Sequence, residues 1–315
     1  MYIASAFKIK HEPWRYMIGL GISIMGVFVF SLPHLLGILY KTFNGSVDQS
    51  QLDNTSYLLS LFDKNINLCF VLLPFVGGLV FLILSVKFLH QQSFLQLTTS
   101  RKQIDWKRFW FALILWGSIS VGLIFVDYFS NPSHYEYNFK LRPFLILFFL
   151  AIILVPLQTS FEEYVFRGYL MQGIGVFAKN KWIPLVTTSL IFGLLHIANP
   201  EIEKLGYVLL IYYVGTGFFL GVITLMDDGL ELALGFHLAN NLFTALLVTA
   251  DWTAFQTHSV FKDISEPTKA EFSEVFMPLF VVFPLVLLIF AKKYHWNSWR
   301  DKLFGSIDDI TKSQY

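Results

Sequence analysis

Three short clusters place ionisable and amide side chains inside otherwise apolar runs. The first reads Ser160-Phe161-Glu162-Glu163-Tyr164-Val165-Phe166-Arg167-Gly168. The second is His196, four residues after Phe192, and the third holds His237, Asn240 and Asn241. Ionisable groups at membrane depth are costly, so each is a functional candidate by default. A carboxylate, two imidazoles and a carboxamide suffice for hydrolysis. Glu162 can take a proton from water, His196 can hold that water, and His237 with Asn241 can donate hydrogen bonds to a tetrahedral oxyanion. The same Glu and two His, Glu162, His196 and His237, could instead hold Zn²⁺ with a position open for water. Residue types alone leave both chemistries open, beside the plain alternative of a buried polar network that only braces the chain.

Positioning these groups makes demands on local structure. Glu163 and Arg167 have the i,i+4 spacing of a helical ion pair. Pro156 interrupts the preceding helix, and Ser160 with Glu163 has capping-box spacing, so a fresh helix start is expected near Ser160. Both glutamates would then lie in a first turn and complement the helix dipole. Glu162 points about 100° away from Glu163 and needs another partner. The following turn is centred near Asn180, with Glu162 18 residues before it and His196 16 after it. At the helical rise these two differ by about 3 Å in depth, so a hairpin sets them side by side. His237 and Asn241 share one helix face. They lie roughly 13–20 Å from the turn Asp227-Asp228-Gly229, against roughly 24–27 Å for Glu162 and His196 from theirs, a loose match that tilt can close. His34, after Pro33, stands alone and reads as structural.

The elements that carry these residues are membrane helices. Of 315 residues, 55% are apolar and 14% charged, and Phe alone appears 34 times. About a quarter charged is usual for a soluble domain. Hydrophobicity and a net charge of +1 exclude a disordered tail and a nucleic-acid binder. The single cysteine, Cys69, allows no intrachain disulfide and no multi-cysteine metal site. A span needs about 20 mostly apolar helical residues. Eight runs approach that: 16–40, 65–86, 109–126, 143–161, 182–200, 205–226, 232–250 and 275–291. The fold class is therefore all-α, a polytopic helical bundle with about eight transmembrane helices. With the N-terminus inside, 16 of the 23 Lys and Arg residues fall on inner segments, Lys312 among them, which favours both termini in the cytoplasm. One weakness is that the Asp227-Asp228 turn, inner by this count, has no basic residue. The stretch 91–108 reads as an interfacial helix or a solvated loop. The chain divides into N-terminal helices and interfacial segment (1–142), a catalytic core (143–250), and an outer loop, last helix and tail (251–315).

Together the three clusters resemble the CPBP intramembrane proteases, the family of CAAX-processing endopeptidases and bacteriocin-processing or immunity proteins. Its motifs are Glu-Glu-x-x-x-Arg, here Glu162, Glu163 and Arg167; Phe-x-x-x-His, here Phe192 and His196; and His-x-x-x-Asn, here His237 and Asn241. The resemblance covers roughly 143–250. It implies peptide-bond hydrolysis within the membrane, with Glu162 and His196 activating water, His237 and Asn241 stabilising the oxyanion, and Glu163 with Arg167 in support. The family is often labelled metalloprotease, and a metal-independent glutamate mechanism has also been argued for it. The second is preferred here, so no cofactor is expected on this reading, with Zn as the alternative. Expected partners are membrane lipid and a membrane-associated or lipid-modified protein or peptide substrate, with no nucleic acid. The expected location is a multi-pass position in the plasma membrane. The rival reading is a non-catalytic immunity or scaffold protein that keeps the fold.

Overall fold

The computed structural model describes residues 2–52 and 54–308. Lys312, counted above among the inner basic residues, lies outside the described residues. Each of the eight apolar runs forms a helix: α1 (Pro13–Phe43), α2 (Lys64–Phe88), α3 (Trp106–Ser130), α4 (Leu141–Ala178), α5 (Trp182–Ala198), α6 (Leu209–Asp227), α7 (Glu231–Leu247) and α8 (Phe272–Tyr294). Six of them, α1 to α4, α6 and α8, are long and apolar enough to cross a membrane. The other two are shorter. α7 has 17 residues, and α5 tightens into a 3-10 turn at Leu195–Ala198. Large apolar side chains such as Phe28, Ile114, Phe149 and Leu288 stay exposed around the bundle. So many exposed large apolar side chains would be unusual on a soluble monomer, and a lipid-facing surface accounts for them. The protein is a helical membrane bundle.

α1 packs on α2, α2 on α4, α4 on α7 and α7 on α3, while α5 pairs with α6. Small residues permit the closest crossings. Gly26 of α1 faces Gly77 of α2, and Gly235 of α7 lies against the backbone of Phe109 in α3, so a Cβ at any of them would collide. Gly235 is two residues before His237, so the α3–α7 contact sets the height of the third cluster.

The helix does not restart at Ser160. α4 runs unbroken from Leu141 to Glu163 through Pro156, then widens into a π turn over Tyr164–Leu170 before resuming at Met171–Ala178. A proline removes one backbone N–H, whereas a new helix start would strand several inside an apolar bundle. Continuing is cheaper. The glutamates therefore lie mid-helix, where neither a capping box nor the dipole acts on them. The irregularity falls instead on the π turn that carries Arg167; such turns often sit at functional sites.

Both described ends of the chain meet at one end of the bundle, the near end. The Tyr2 amide donates to Asp228 Oδ1 at 3.0 Å, Lys10 N donates to His90 O at 3.1 Å, and Ile307 N donates to Lys179 O at 3.0 Å. The 91–108 stretch is neither a long interfacial helix nor a free loop. Before α3 begins at Trp106 it is helical only over Phe94–Thr98, behind a Ser93–Gln96 capping box, and Thr99 then bridges to Gly229. Burial of Leu97 and Thr98 holds it against the bundle. At the opposite, far end a three-stranded sheet of Tyr135–Tyr137 (β1), Val248–Thr249 (β2) and Phe261–Asp263 (β3) has the order β1-β3-β2. β1 runs antiparallel and β2 parallel to β3, so the end of α7 is tied into this sheet.

Candidate active site

Glu163 and Arg167 form the expected ion pair, with Arg167 Nη1 donating to Glu163 Oε1 at 2.9 Å and both side chains fully buried. A buried guanidinium needs several partners to offset its desolvation. Arg167 Nη2 donates to Gly217 O on α6 at 3.3 Å, and the group lies over the Phe192 ring on α5, 4.2 Å from its centroid. Arg167 thus ties α4 to both members of the α5–α6 pair.

His237 is the junction of the site. Its Nδ1 donates to Glu163 Oε1 at 2.8 Å, and its Nε2 stands 3.4 Å from Glu162 Oε2. An ionised carboxylate only accepts, which assigns the Nδ1 proton. The depth mismatch anticipated for His237 is closed in the fold, and one imidazole bridges both glutamates.

Glu162 finds its other partner one turn back. Gln158 Nε2 donates to Glu162 Oε1 at 2.8 Å, and Gln158 Oε1 accepts from Asn241 Nδ2 at 3.0 Å. Asn240 Nδ2 donates to Asn241 Oδ1 at 3.1 Å, and Trp116 Nε1 on α3 donates to Asn240 Oδ1 at 3.1 Å. The orientation of each amide follows from its two neighbours. An Asn carries two amide hydrogens, so Asn241 retains one for another acceptor.

His196 lies in the 3-10 turn at the end of α5, where its Nδ1 donates to Phe192 O at 2.8 Å. Its ring stacks on Tyr213 of α6 at 4.1 Å and 20°. His196 and His237, the imidazole partner of Glu162, both pack on Phe192, yet among the described residues Glu162 and His196 share no hydrogen bond. The hairpin count therefore finds the right neighbourhood, but the direct partners of Glu162 are Gln158 and His237. Phe192 packs against His196, His237 and the Arg167 guanidinium together. His34 stacks on Phe70 at 5.3 Å, far from this network in the contacts it makes.

As placed, Glu162, His196 and His237 do not fit a zinc site. Among the described residues no three His, Cys, Asp or Glu side chains are grouped to hold a metal ion. Both nitrogens of His237 already face carboxylates. Three buried polar atoms around the network stay unpaired, namely Glu163 Oε2, Arg167 Nε and Ser189 Oγ.

Sequence reasoning missed Gln158 and Tyr213. Gln158 had a signal, an amide four residues before Glu162 in an apolar run, though an uncharged amide marks a site less sharply than an ionisable group does. Tyr213 had none, because an aromatic residue on an aromatic-rich helix reads as packing.

Residues 141–243 match the family described as Type II CAAX prenyl endopeptidase Rce1-like. The chain is 29% identical over 238 residues to YyaK of Bacillus subtilis (strain 168), described as an uncharacterized protein; the match covers 75% of this chain and 78% of that one. No solved structure matches the chain. The matched segment contains all seven motif residues, from Glu162 to Asn241, so the helical core of this protein is similar to the Rce1-like CAAX prenyl endopeptidases.

Proposed function

We propose that the protein hydrolyses peptide bonds of a membrane-associated or lipid-modified protein or peptide, using water activated by Glu162 and His196 and no metal. The observation that carries this reading is the buried junction at His237, with Glu163 on one nitrogen and Glu162 on the other. Glu163 and Arg167 hold the ring, which leaves Glu162 as the carboxylate free to exchange a proton. Glu162 takes a proton from a water whose other hydrogen rests on His196 Nε2. The water oxygen attacks the scissile carbonyl carbon. His237 and the second amide hydrogen of Asn241 stabilise the resulting oxyanion. The tetrahedral centre collapses, the C–N bond breaks, and the amine leaves with the proton held by Glu162.

Membrane lipid surrounds the bundle on this reading, and the near end faces the cytoplasm at the plasma membrane. Clustering of Arg15, Arg101, Arg108, Lys181 and Lys302 at that end supports the orientation. The test is cleavage of a fluorogenic peptide carrying a farnesylated CAAX cysteine by purified protein in detergent, beside the unprenylated peptide and a transmembrane reporter. Cleavage of at least one, unchanged by a chelator, is expected. Loss with chelator and recovery with Zn²⁺ would overturn the metal-free mechanism. A folded protein that cleaves none of the three would favour the non-catalytic scaffold.

A further inference from the structure

We infer that Tyr213 is a positioning residue that fixes the plane of His196 and so aims its free nitrogen at the reacting water. The inference rests on the hydrolytic reading above. His196 sits on a less regular stretch of backbone than the two glutamates and His237. Glu162, Glu163 and His237 lie within regular α-helix, whereas His196 lies in a four-residue 3-10 turn at the end of α5. Its flanking residues Leu195 and Ile197 are exposed, so they make no wall around it.

Two contacts fix the ring. Nδ1 donates to Phe192 O at 2.8 Å, which puts the proton on Nδ1 and leaves the Nε2 lone pair for a hydrogen of water. One hydrogen bond pins one atom and leaves the ring free to swing about it. The Tyr213 ring, 4.1 Å away at 20°, removes that swing by covering one face. Phe192 meets the imidazole at 4.9 Å and 57°, a tilted contact that does not set the plane. Tyr213 is on α6, which Arg167 also grips through Gly217 O, four residues further along. The helix that orients His196 is thereby tied to the helix carrying Glu162. A small misplacement of a catalytic group costs about 10²-fold in rate, so a loss of stacking should be read in turnover.

Three variants test this in the peptide-cleavage assay: Tyr213→Phe, which keeps the flat face and drops the hydroxyl, and Tyr213→Leu and Tyr213→Met, which keep bulk and drop the face. The expected result is near wild-type kcat for Tyr213→Phe. The Leu and Met variants should lose at least tenfold in kcat with KM unchanged, at the melting temperature of the wild type. If Leu lowers the folded yield, the comparison of Met with Phe decides. A kcat for Tyr213→Met equal to wild type would overturn the inference, and so would an equal loss in Tyr213→Phe, since the hydroxyl rather than the stack would then matter. His196→Ala separates this result from the underlying reading. Loss of cleavage there with full activity in Tyr213→Met sinks only the positioning role, whereas full activity in His196→Ala sinks the role of His196 in hydrolysis.

Discussion

The near end and the middle of the bundle both bury carboxylates, and they treat them differently. At the near end Asp227 and Glu231 are almost fully buried, and Arg101 donates to both at 2.9 and 3.0 Å. Arg108 also pairs with Asp227, Trp296 Nε1 donates to it at 3.2 Å, and Asp105 N donates to Glu231 at 3.2 Å. Lys302 pairs with Asp228 in the same turn. The acidic turn that had no basic neighbour in sequence thus borrows its cations from the α2–α3 linker, α3 and a short helix at Trp299–Phe304. In the middle of the bundle two glutamates share one arginine and one imidazole, and Glu163 Oε2 and Arg167 Nε remain unpaired. A saturated network braces the fold. An unsaturated one keeps protons movable and costs stability, a cost that a functional site can justify.

Removing cations should separate the two regions. Arg167→Ala leaves Glu163 buried without its guanidinium partner and should cost about 3–5 kcal/mol, read as lost folded yield or a much lower melting temperature. Wild-type stability and activity would show that the pair is dispensable. Asn241→Ala should keep the melting temperature near normal and lower kcat by about 10²–10³, the usual effect of losing one oxyanion donor. A large stability loss with kcat intact would move Asn241 to the bracing network. Arg101→Ala should destabilise by about 1–3 kcal/mol, because Glu231 loses its charged partner while Asp227 keeps Arg108, and the kcat of the folded fraction should not change. A fall in kcat would mean that the near end is coupled to the site. The smallest effect is expected for Lys302→Ala, within about 1 kcal/mol, since both partners are partly solvated.

What could be read from sequence follows the range of the interactions. The Glu163–Arg167 pair is four residues apart and was legible, as were the apolar runs that became α1 to α8. The continuity of α4 through Pro156 was not, because the capping-box pattern at Ser160 is local and the apolar surroundings that forbid a restart are not. The bridge from His237 to both glutamates joins residues 74 and 75 positions apart, and its depth depends on the Gly235–Phe109 crossing. The clamp on Asp227 joins residues 119 and 126 positions apart, beyond any spacing rule. Gln158 sits between these cases, since its i,i+4 bond to Glu162 is local while its bond to Asn241 is not.

The central claim, that Glu162 moves the proton, is tested most directly by the cleavage rate of Glu162→Gln. Gln keeps the shape and can still meet Gln158 and His237, but it takes no proton from water. The account predicts membrane insertion and melting close to wild type with cleavage reduced to background. Wild-type cleavage by folded Glu162→Gln protein would contradict it.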